Sequence, residues 1–310
     1  DQPVPPGGYL WWYVDALSDD GRHGLTIIAF IGSVFSPYYR WDRWRGRGDA
    51  EQHVALNVAL YGRDTPRWTM TERGRGQLSR SASELAIGPS VVRWDGQALQ
   101  IDIDEVCSPL PRRVRGRVRV FPQGLCRFTA PLDAAGRHRW GPIAPCARIE
   151  VELDRPGLRW SGQAYLDSNE GDEPVDRAFR TWDWSRASLR DGSTAVVYDL
   201  RPSAKVAGDG ADRLIAMRFA PNGDSTPFEP PSRQKLPRSR WGLSRTQRSE
   251  AHTPVRVLQT LEDTPFYVRS LIDASLRGEP VTAVHETLHV PRLVSLPVQL
   301  MLPFRMPRRT

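Results

Sequence analysis

Residues 160–187 read WSGQAYLDSNEGDEPVDRAFRTWDWSRA, and the alternation inside this stretch decides the fold. Ser161, Gln163, Tyr165 and Asp167 interleave with Gly162, Ala164 and Leu166, the period of two that belongs to a β-strand. Tyr165 and Asp167, at i and i+2, therefore project from one face. Ser168, Asn169 and Gly171 carry turn chemistry, and Phe179, Thr181, Asp183 and Ser185 then alternate against Trp182, Trp184 and Arg186. The expectation is a hairpin that gathers a carboxylate, a tyrosine and tryptophans into what reads as an active site.

The same texture extends outward. The chain has 310 residues with 39% hydrophobic content, 11 Trp, 27 Pro and 25 Gly, and no heptad-like run, a composition of many short strands joined by turns. The class is mostly β. The length suits two domains, expected at 1–187, carrying the proposed site, and 188–310, a second β-barrel or sandwich. The net charge of +7 is almost wholly arginine, since Lys205 and Lys235 are the only lysines. It fits an anionic surface partner or a GC-rich genome; no nucleic-acid partner is expected.

Cys107, Cys126 and Cys146 are odd in number and not spaced as a metal knuckle, and no secretion signal precedes them, which indicates buried thiols in a reducing, intracellular compartment. The longest apolar run, Leu25 to Phe35, is too short for a membrane helix of about 20 residues. The chain opens on Asp1 rather than methionine, which implies a short amino-terminal segment ahead of it.

Gly8 to Asp15 (GYLWWYVD) predicts an aromatic strand that the turn SDDGRHG joins to Leu25–Phe35 as a hairpin. Arg40 to Gly48 reads as a mobile loop. His53–Tyr61, Trp68–Arg73 and Leu99–Glu105 read as strands. In Arg113–Val120 the arginines face one way, a basic face that suits phosphates or anionic lipid headgroups but reads more simply as a solvated face. Strands are further expected at Thr194–Leu200, Arg213–Ala220, Val255–Leu261, Phe266–Ile272 and Val281–Val290. Asn222 to Arg240 reads as a loop, and Leu293–Phe304, interrupted by Pro297 and Pro303, as an edge strand or surface segment.

His138 and Trp140, in GRHRWGPIAP at 136–145, again stand at i and i+2. If their strand lines the same barrel as Tyr165 and Asp167, one cavity holds an acid, an imidazole and two aromatic rings. Taken alone, His138 is more ordinarily a satisfied core or surface histidine. The HETLH run at His285–His289 lies in a valine and leucine alternation, where i and i+4 are about 13 Å apart along a strand, so no metal is expected there. Asp102, Asp104 and Glu105 form a carboxylate cluster that fits acid and base work on a sugar, but salt bridges to nearby arginines are the simpler reading. Asp19 and Asp20 read as turn residues. No phosphate-binding loop and no dinucleotide glycine pattern occurs.

The run Gly8 to Tyr39, the segments NVALYG and RWTMTER within Asn57–Arg73, HRW at His138–Trp140 and YLDSNEG at Tyr165–Gly171 closely resemble the carotenoid 1,2-hydratases, also called hydroxyneurosporene synthases. The resemblance covers at least Gly8 to Ala187. It implies two consecutive lipocalin-like antiparallel β-barrel or sandwich domains. It also implies a cytoplasmic protein, or one peripheral on the photosynthetic inner membrane, that adds water to the terminal C=C of an acyclic carotenoid such as lycopene or neurosporene, with no cofactor and no metal. The catalytic elements of the family fall here on His138, Trp140, Tyr165 and Asp167.

Such a hydration requires protonation of the alkene to a tertiary carbocation that water captures. Burial among rings favours an uncharged Asp167 able to donate its proton. Trp140 and Tyr165 offer π faces to the cation, worth about 0.5–2 kcal/mol each. His138 either orients Asp167 or positions the water and accepts its proton. Partners implied are the carotenoid, water and peripheral membrane lipid. A non-catalytic carotenoid or isoprenoid carrier, a lipocalin-like cyclase and, more remotely, a glycosidase remain alternatives at this level.

Overall fold

The computed structural model describes residues 2–62, 66–204, 211–251 and 254–309. Its strands are β1 Tyr9–Ser18, β2 Gly24–Ile31, β3 Val54–Tyr61, β4 Arg67–Arg73, β5 Leu78–Arg80, β6 Glu84–Ile87, β7 Ser90–Trp94, β8 Leu99–Val106, β9 Arg113–Pro122, β10 Ala130–Pro131, β11 His138–Arg155 and β12 Leu158–Gly171. They continue as β13 Phe179–Ser188, β14 Thr194–Pro202, β15 Arg213–Phe219, β16 Ser225–Pro227, β17 Arg233–Lys235, β18 Thr246–Arg248, β19 Arg256–Asp263, β20 Tyr267–Leu276, β21 Glu279–His289 and β22 Arg308–Arg309. Among the described residues four α-helices accompany them: α1 Pro37–Trp44, α2 Val175–Ala178, α3 Val290–Leu293 and α4 Leu296–Arg305. The mostly β class expected from the alternation is what is found. Among the described residues no helix is long and apolar enough to cross a membrane.

The chain divides into two compact units, Asp1–Pro131 with Arg137–Pro174 and Leu300–Thr310, and Leu132–Gly136 with Val175–Gln299. The first unit is a curled sheet in the order β22-β4-β3-β2-β1-β12-β11-β9-β8-β7-β6-β5, with β10 beside β11. The hairpin expected from GYLWWYVD to the apolar run is present, with Tyr13 opposite Ile28. The residue alternation then separates two faces of the sheet. Val14, Ala16, Ile27, Ala29, Val58, Val118, Ile149, Ala164 and Leu166 join one apolar cluster, while Tyr13, Asp15, Tyr165 and Asp167 lie on the opposite side of their strands.

The proposed pairing within residues 160–187 is corrected by the topology. β12 is flanked by β1 and β11, and β13 by β14 and β21, so the two strands belong to different sheets. A strand has only two hydrogen-bonding edges, and both edges of each are occupied. Ser168 and Asn169, expected in the turn, are inside β12, which runs to Gly171. The chain passes between units at Pro174 and Val175, ahead of the 187/188 boundary expected from sequence.

Two segments expected to be irregular or extended are helical. In the stretch expected as a loop, α1 starts on Ser36, whose hydroxyl accepts from the Tyr39 amide at 2.8 Å, with Pro37 in the first turn. Tyr39 is fully buried and anchors it. In α4, Pro297 occupies the first turn, where its missing N–H costs no hydrogen bond, and Val298 and Leu302, followed by Met306 just past the helix end, are buried at helical spacing.

The second unit is a seven-stranded antiparallel sheet, β16-β15-β14-β13-β21-β20-β19, with the ribbon β17–β18 and a smaller core around Ala187, Ile272, Ala283 and Leu236. The loop expected over 222–240 contains β16 and β17. The polar turn expected between Leu200 and Arg213 falls partly outside the described residues, as does Lys205. HETLH lies on β21 as expected: His285 Nε2 meets the Thr246 carbonyl at 2.8 Å, and His289 caps α3. Among the described residues no group of three His, Cys, Asp or Glu is placed to hold a metal ion.

Candidate active site

The antiparallel register of β1, β12 and β11 builds the site. Asp167 stands opposite Tyr13 on one side and Pro142 on the other; Asn169 stands between Trp11 and Trp140; Gly171 stands between Tyr9 and His138. The period of two therefore sets Tyr9, Trp11, Tyr13 and Asp15 on one strand, Tyr165, Asp167 and Asn169 on the next, and His138 and Trp140 on the third, all on one sheet face. The four residues proposed from sequence are brought together on that face. It is the face opposite the apolar cluster, rather than the packed side of the curled sheet where a barrel cavity was expected.

Asp167 is almost wholly buried and accepts two hydrogen bonds on the same oxygen: Trp140 Nε1 donates to Oδ2 at 2.7 Å and the Tyr165 hydroxyl donates to Oδ2 at 2.8 Å. Trp140 and Tyr165 are fully buried. Burial first, and then the neighbouring Asp167 charge, hold the Tyr165 phenol well above its ordinary value of 10.0, so it remains a donor throughout the neutral range. Tyr13 lies edge-on to Tyr165 at 6.3 Å and donates to Asp15 Oδ2 at 3.2 Å. Phe128 lies edge-on to Trp140 at 6.0 Å. The acid thus sits in a ring-lined environment.

His138 is fully buried, and its Nδ1 is 2.8 Å from the Tyr9 hydroxyl, with Glu173 Oε1 3.8 Å from Nε2. Register puts it four residues along β12 from Asp167, about 13 Å. Gly171 is what permits this corner. A Cβ there would lie 2.3 Å from the Tyr9 ring and 2.7 Å from His138 Nδ1, so any side chain would push the two apart.

Sequence reasoning took the aromatic strand Tyr9 to Tyr13 only as candidate lining for the polyene, and named neither Asp15 nor Asn169 as a site residue. Tyr9, Tyr13 and Asp15 were visible as an alternating set in GYLWWYVD, but nothing local says which strand lies beside them. Asn169 was masked by its turn-like neighbours. Its Nδ2 is buried and has no hydrogen-bond partner among the described residues, so it presents an unsatisfied donor on the site face between Trp11 and Trp140.

The other carboxylates are structural. Arg117 donates to Asp102 at 2.7 Å and Arg113 to Asp104 at 2.6 Å, while Glu105 is buried against Arg73 and Ser90. The Asp19 carboxylate pairs with Arg148. A surface concavity of about 690 Å³, lined by Asp102, Asp104, Arg115, Arg117 and Glu152, is charged and lies away from Asp167, so it does not suit an apolar substrate.

A family model described as carotenoid hydratase CrtC matches residues 27–310. An acyclic carotenoid 1,2-hydratase from Rubrivivax gelatinosus is 63% identical, over the whole of this chain and 75% of its own length. One from Thiocapsa roseopersicina is 54% identical over 99% of this chain and 75% of its length, and one from Cereibacter sphaeroides is 38% identical over 91% and 98%. Among solved structures, an AttH protein from Nitrosomonas europaea is similar with a TM-score of 0.62 at 16% identity, covering 91% of this chain and 92% of that one. Kievitone hydratase from Nectria haematococca follows at TM-score 0.53 and 9% identity, covering 92% and 90%. At these identities the two structures speak for the fold alone, which is the two-part lipocalin-like β architecture expected from sequence.

Proposed function

The chain belongs to the carotenoid hydratase CrtC family, and on that premise we propose how its residues carry out the addition of water. The protein is an enzyme, a hydro-lyase that adds water to a C=C of an acyclic carotenoid. The chemistry places H on C2 and OH on C1, because protonating C2 leaves the charge on the tertiary carbon.

Asp167 is the acid. In a dry site the uncharged carboxyl is the cheaper form, and with Oδ2 engaged by two donors the proton belongs on Oδ1. Transfer of that proton to C2 turns Asp167 into a carboxylate. The Trp140 N–H and Tyr165 O–H, already aimed at Oδ2, then strengthen as charge-assisted hydrogen bonds. The same preorganised pair that holds the acid thus stabilises its conjugate base, and the surrounding rings face the cation.

Asn169 lies one step along the strand face, and its buried Nδ2 donor holds the attacking water by oxygen, leaving a lone pair for C1. His138 lies a further step along. With Nδ1–H donating to the Tyr9 oxygen, Nε2 accepts the proton released by the captured water, and Glu173 at 3.8 Å offsets the imidazolium charge. Turnover returns that proton to Asp167. Acid, water-holding amide and base are thereby ranked along β12 at intervals of about 7 Å.

The observation that carries this reading is the double donation to one oxygen of a buried carboxyl. The test is Asp167→Asn, incubated anaerobically with lycopene or neurosporene in heavy-oxygen water without added cofactor. Loss of labelled hydroxycarotenoid with unchanged circular dichroism is the expected result; an active Asn variant overturns the assignment. Pigment returned unchanged by the wild type would point to a carrier, and conversion without label to a cyclase. Because the substrate dissolves in lipid, the enzyme works in peripheral contact with a membrane.

A further inference from the structure

Of the seven exposed large apolar side chains described in the first unit, five lie on two segments, the other two being Leu110 and Leu125. Trp41 and Trp44 project from α1, where Trp44 is 76% exposed, and Leu300, Met301 and Phe304 from the second half of α4, where Phe304 is 72% exposed. The two segments are joined through the carboxyl-terminal strand. Arg308 lies over the Tyr38 ring at 5.8 Å, pairs with Glu72 and donates to the Gln52 carbonyl at 3.0 Å, while β22 adds alongside β4. Arg305 lies over Trp68 at 4.7 Å, and Ser108 ties down the Phe304 carbonyl at 2.7 Å.

The charge around this apolar surface is predominantly positive. Residues 37–47 contain Arg40, Arg43, Arg45 and Arg47 against Asp42, and residues 300–309 contain Arg305, Arg308 and Arg309 with no acidic side chain. Arg43 and Arg45 stack over Tyr39 and Trp41. Exposed tryptophan, leucine and phenylalanine among arginines match the headgroup zone of an anionic bilayer.

The position of the surface is equally informative. α1 is inserted between the end of β2 and the start of β3, at the same sheet end as Tyr9, Gly171 and His138, and the Tyr39 hydroxyl donates to the Gly8 carbonyl at 2.7 Å. Asp167 is four residues from that end along β12, about 13 Å. An acyclic carotenoid is about as long as a bilayer core is thick, roughly 30 Å. More than half of the polyene therefore remains outside when its end reaches Asp167.

We propose that α1 and the α4–β22 segment form a docking surface for an anionic bilayer, set at the sheet end through which the carotenoid terminus reaches the acid. The purpose of the surface rests on the hydratase reading, but its existence is tested without substrate. Wild type, Trp41→Ser/Trp44→Ser, Leu300→Ser/Phe304→Ser and the control Trp241→Ser/Leu258→Ser are floated with phosphatidylcholine vesicles, with or without phosphatidylglycerol, and checked by circular dichroism. Trp241 and Leu258 are also exposed but lie in the other unit.

The expected result is flotation of wild type and control with phosphatidylglycerol vesicles, reduced by high salt, and affinity at least about tenfold lower for each site double variant. Those variants hydrate detergent-dispersed lycopene at the wild-type rate and vesicle-held lycopene more slowly. The proposal is overturned if wild type does not float, if the site variants float as well as wild type, or if they only convert a dimer to a monomer, which would make a second copy the occupant. Flotation without hydration would overturn the hydratase reading instead, so the two failures are separable.

Discussion

Tyr165→Phe isolates the electrostatic argument because it deletes one oxygen and keeps the ring. In the wild type the hydroxyl donates to Asp167 Oδ2 at 2.8 Å, beside the Trp140 donor at 2.7 Å. While Asp167 is neutral this is an ordinary hydrogen bond; once the proton has left, it is a bond to a charged acceptor. Hydrogen bonds to charged groups contribute about 1.5–3 kcal/mol in proteins, against about 1 kcal/mol for neutral ones. The difference, about 0.5–2 kcal/mol, is felt in the transition state, so kcat falls roughly two- to thirtyfold. The fold survives, because Phe fills the same buried volume and Asp167 keeps the Trp140 N–H. The assay is product formation from detergent-dispersed lycopene by chromatography, with KM and thermal unfolding measured in parallel. An unchanged kcat would refute the claim that donors on Oδ2 stabilise the conjugate base; a fall in Tm that accounts for the lost activity would refute the claim that the effect is catalytic.

Replacement of Asn169 by Ala removes the buried amide donor between Trp11 and Trp140, and hydration is expected to fall at least about tenfold with pigment binding retained, read by visible absorbance of bound carotenoid; undiminished hydration would remove Asn169 from the water site. Stability should depend on pH at both ends. Burial pushes the Tyr39 phenol up to about 12 and Tyr165 well above its ordinary 10.0, so the folded state holds these protons more tightly than the unfolded one; denaturant midpoints should be flat up to about pH 10 and fall above it. Burial depresses His285 below its ordinary 6.5, so its contribution is present above that value and is lost as the pH falls through and below it.

Much of this molecule is legible along the chain because strand periodicity is local. Alternation over Tyr9–Asp15, His138–Trp140 and Tyr165–Asp167 fixes which side chains share a face of each strand, since a strand points successive residues to opposite sides whatever lies next to it. The same rule rejected HETLH as a metal site and read the arginines of β9 as a solvated face, where Arg113 and Arg117 indeed meet Asp104 and Asp102. Two helices escaped because their signals were read at the wrong period. Ser36 with Pro37 is a helix start, and Val298, Leu302 and Met306 recur every fourth residue, yet the surrounding prolines and arginines suggested loop and edge strand.

The amino-acid sequence by itself determined the class of fold and the facing of each short segment, Tyr165 with Asp167 and His138 with Trp140. The tertiary structure alone decided their neighbours: that β12 lies between β1 and β11 rather than against β13, and that Tyr13 comes opposite Asp167 and Tyr9 opposite Gly171. It also decided that the acid, amide and imidazole occupy the sheet face away from the main apolar cluster. The reason is physical. Facing follows from bond geometry between adjacent residues, whereas pairing is a competition among all strands for a limited number of edges, and its outcome depends on the packing of the whole sheet.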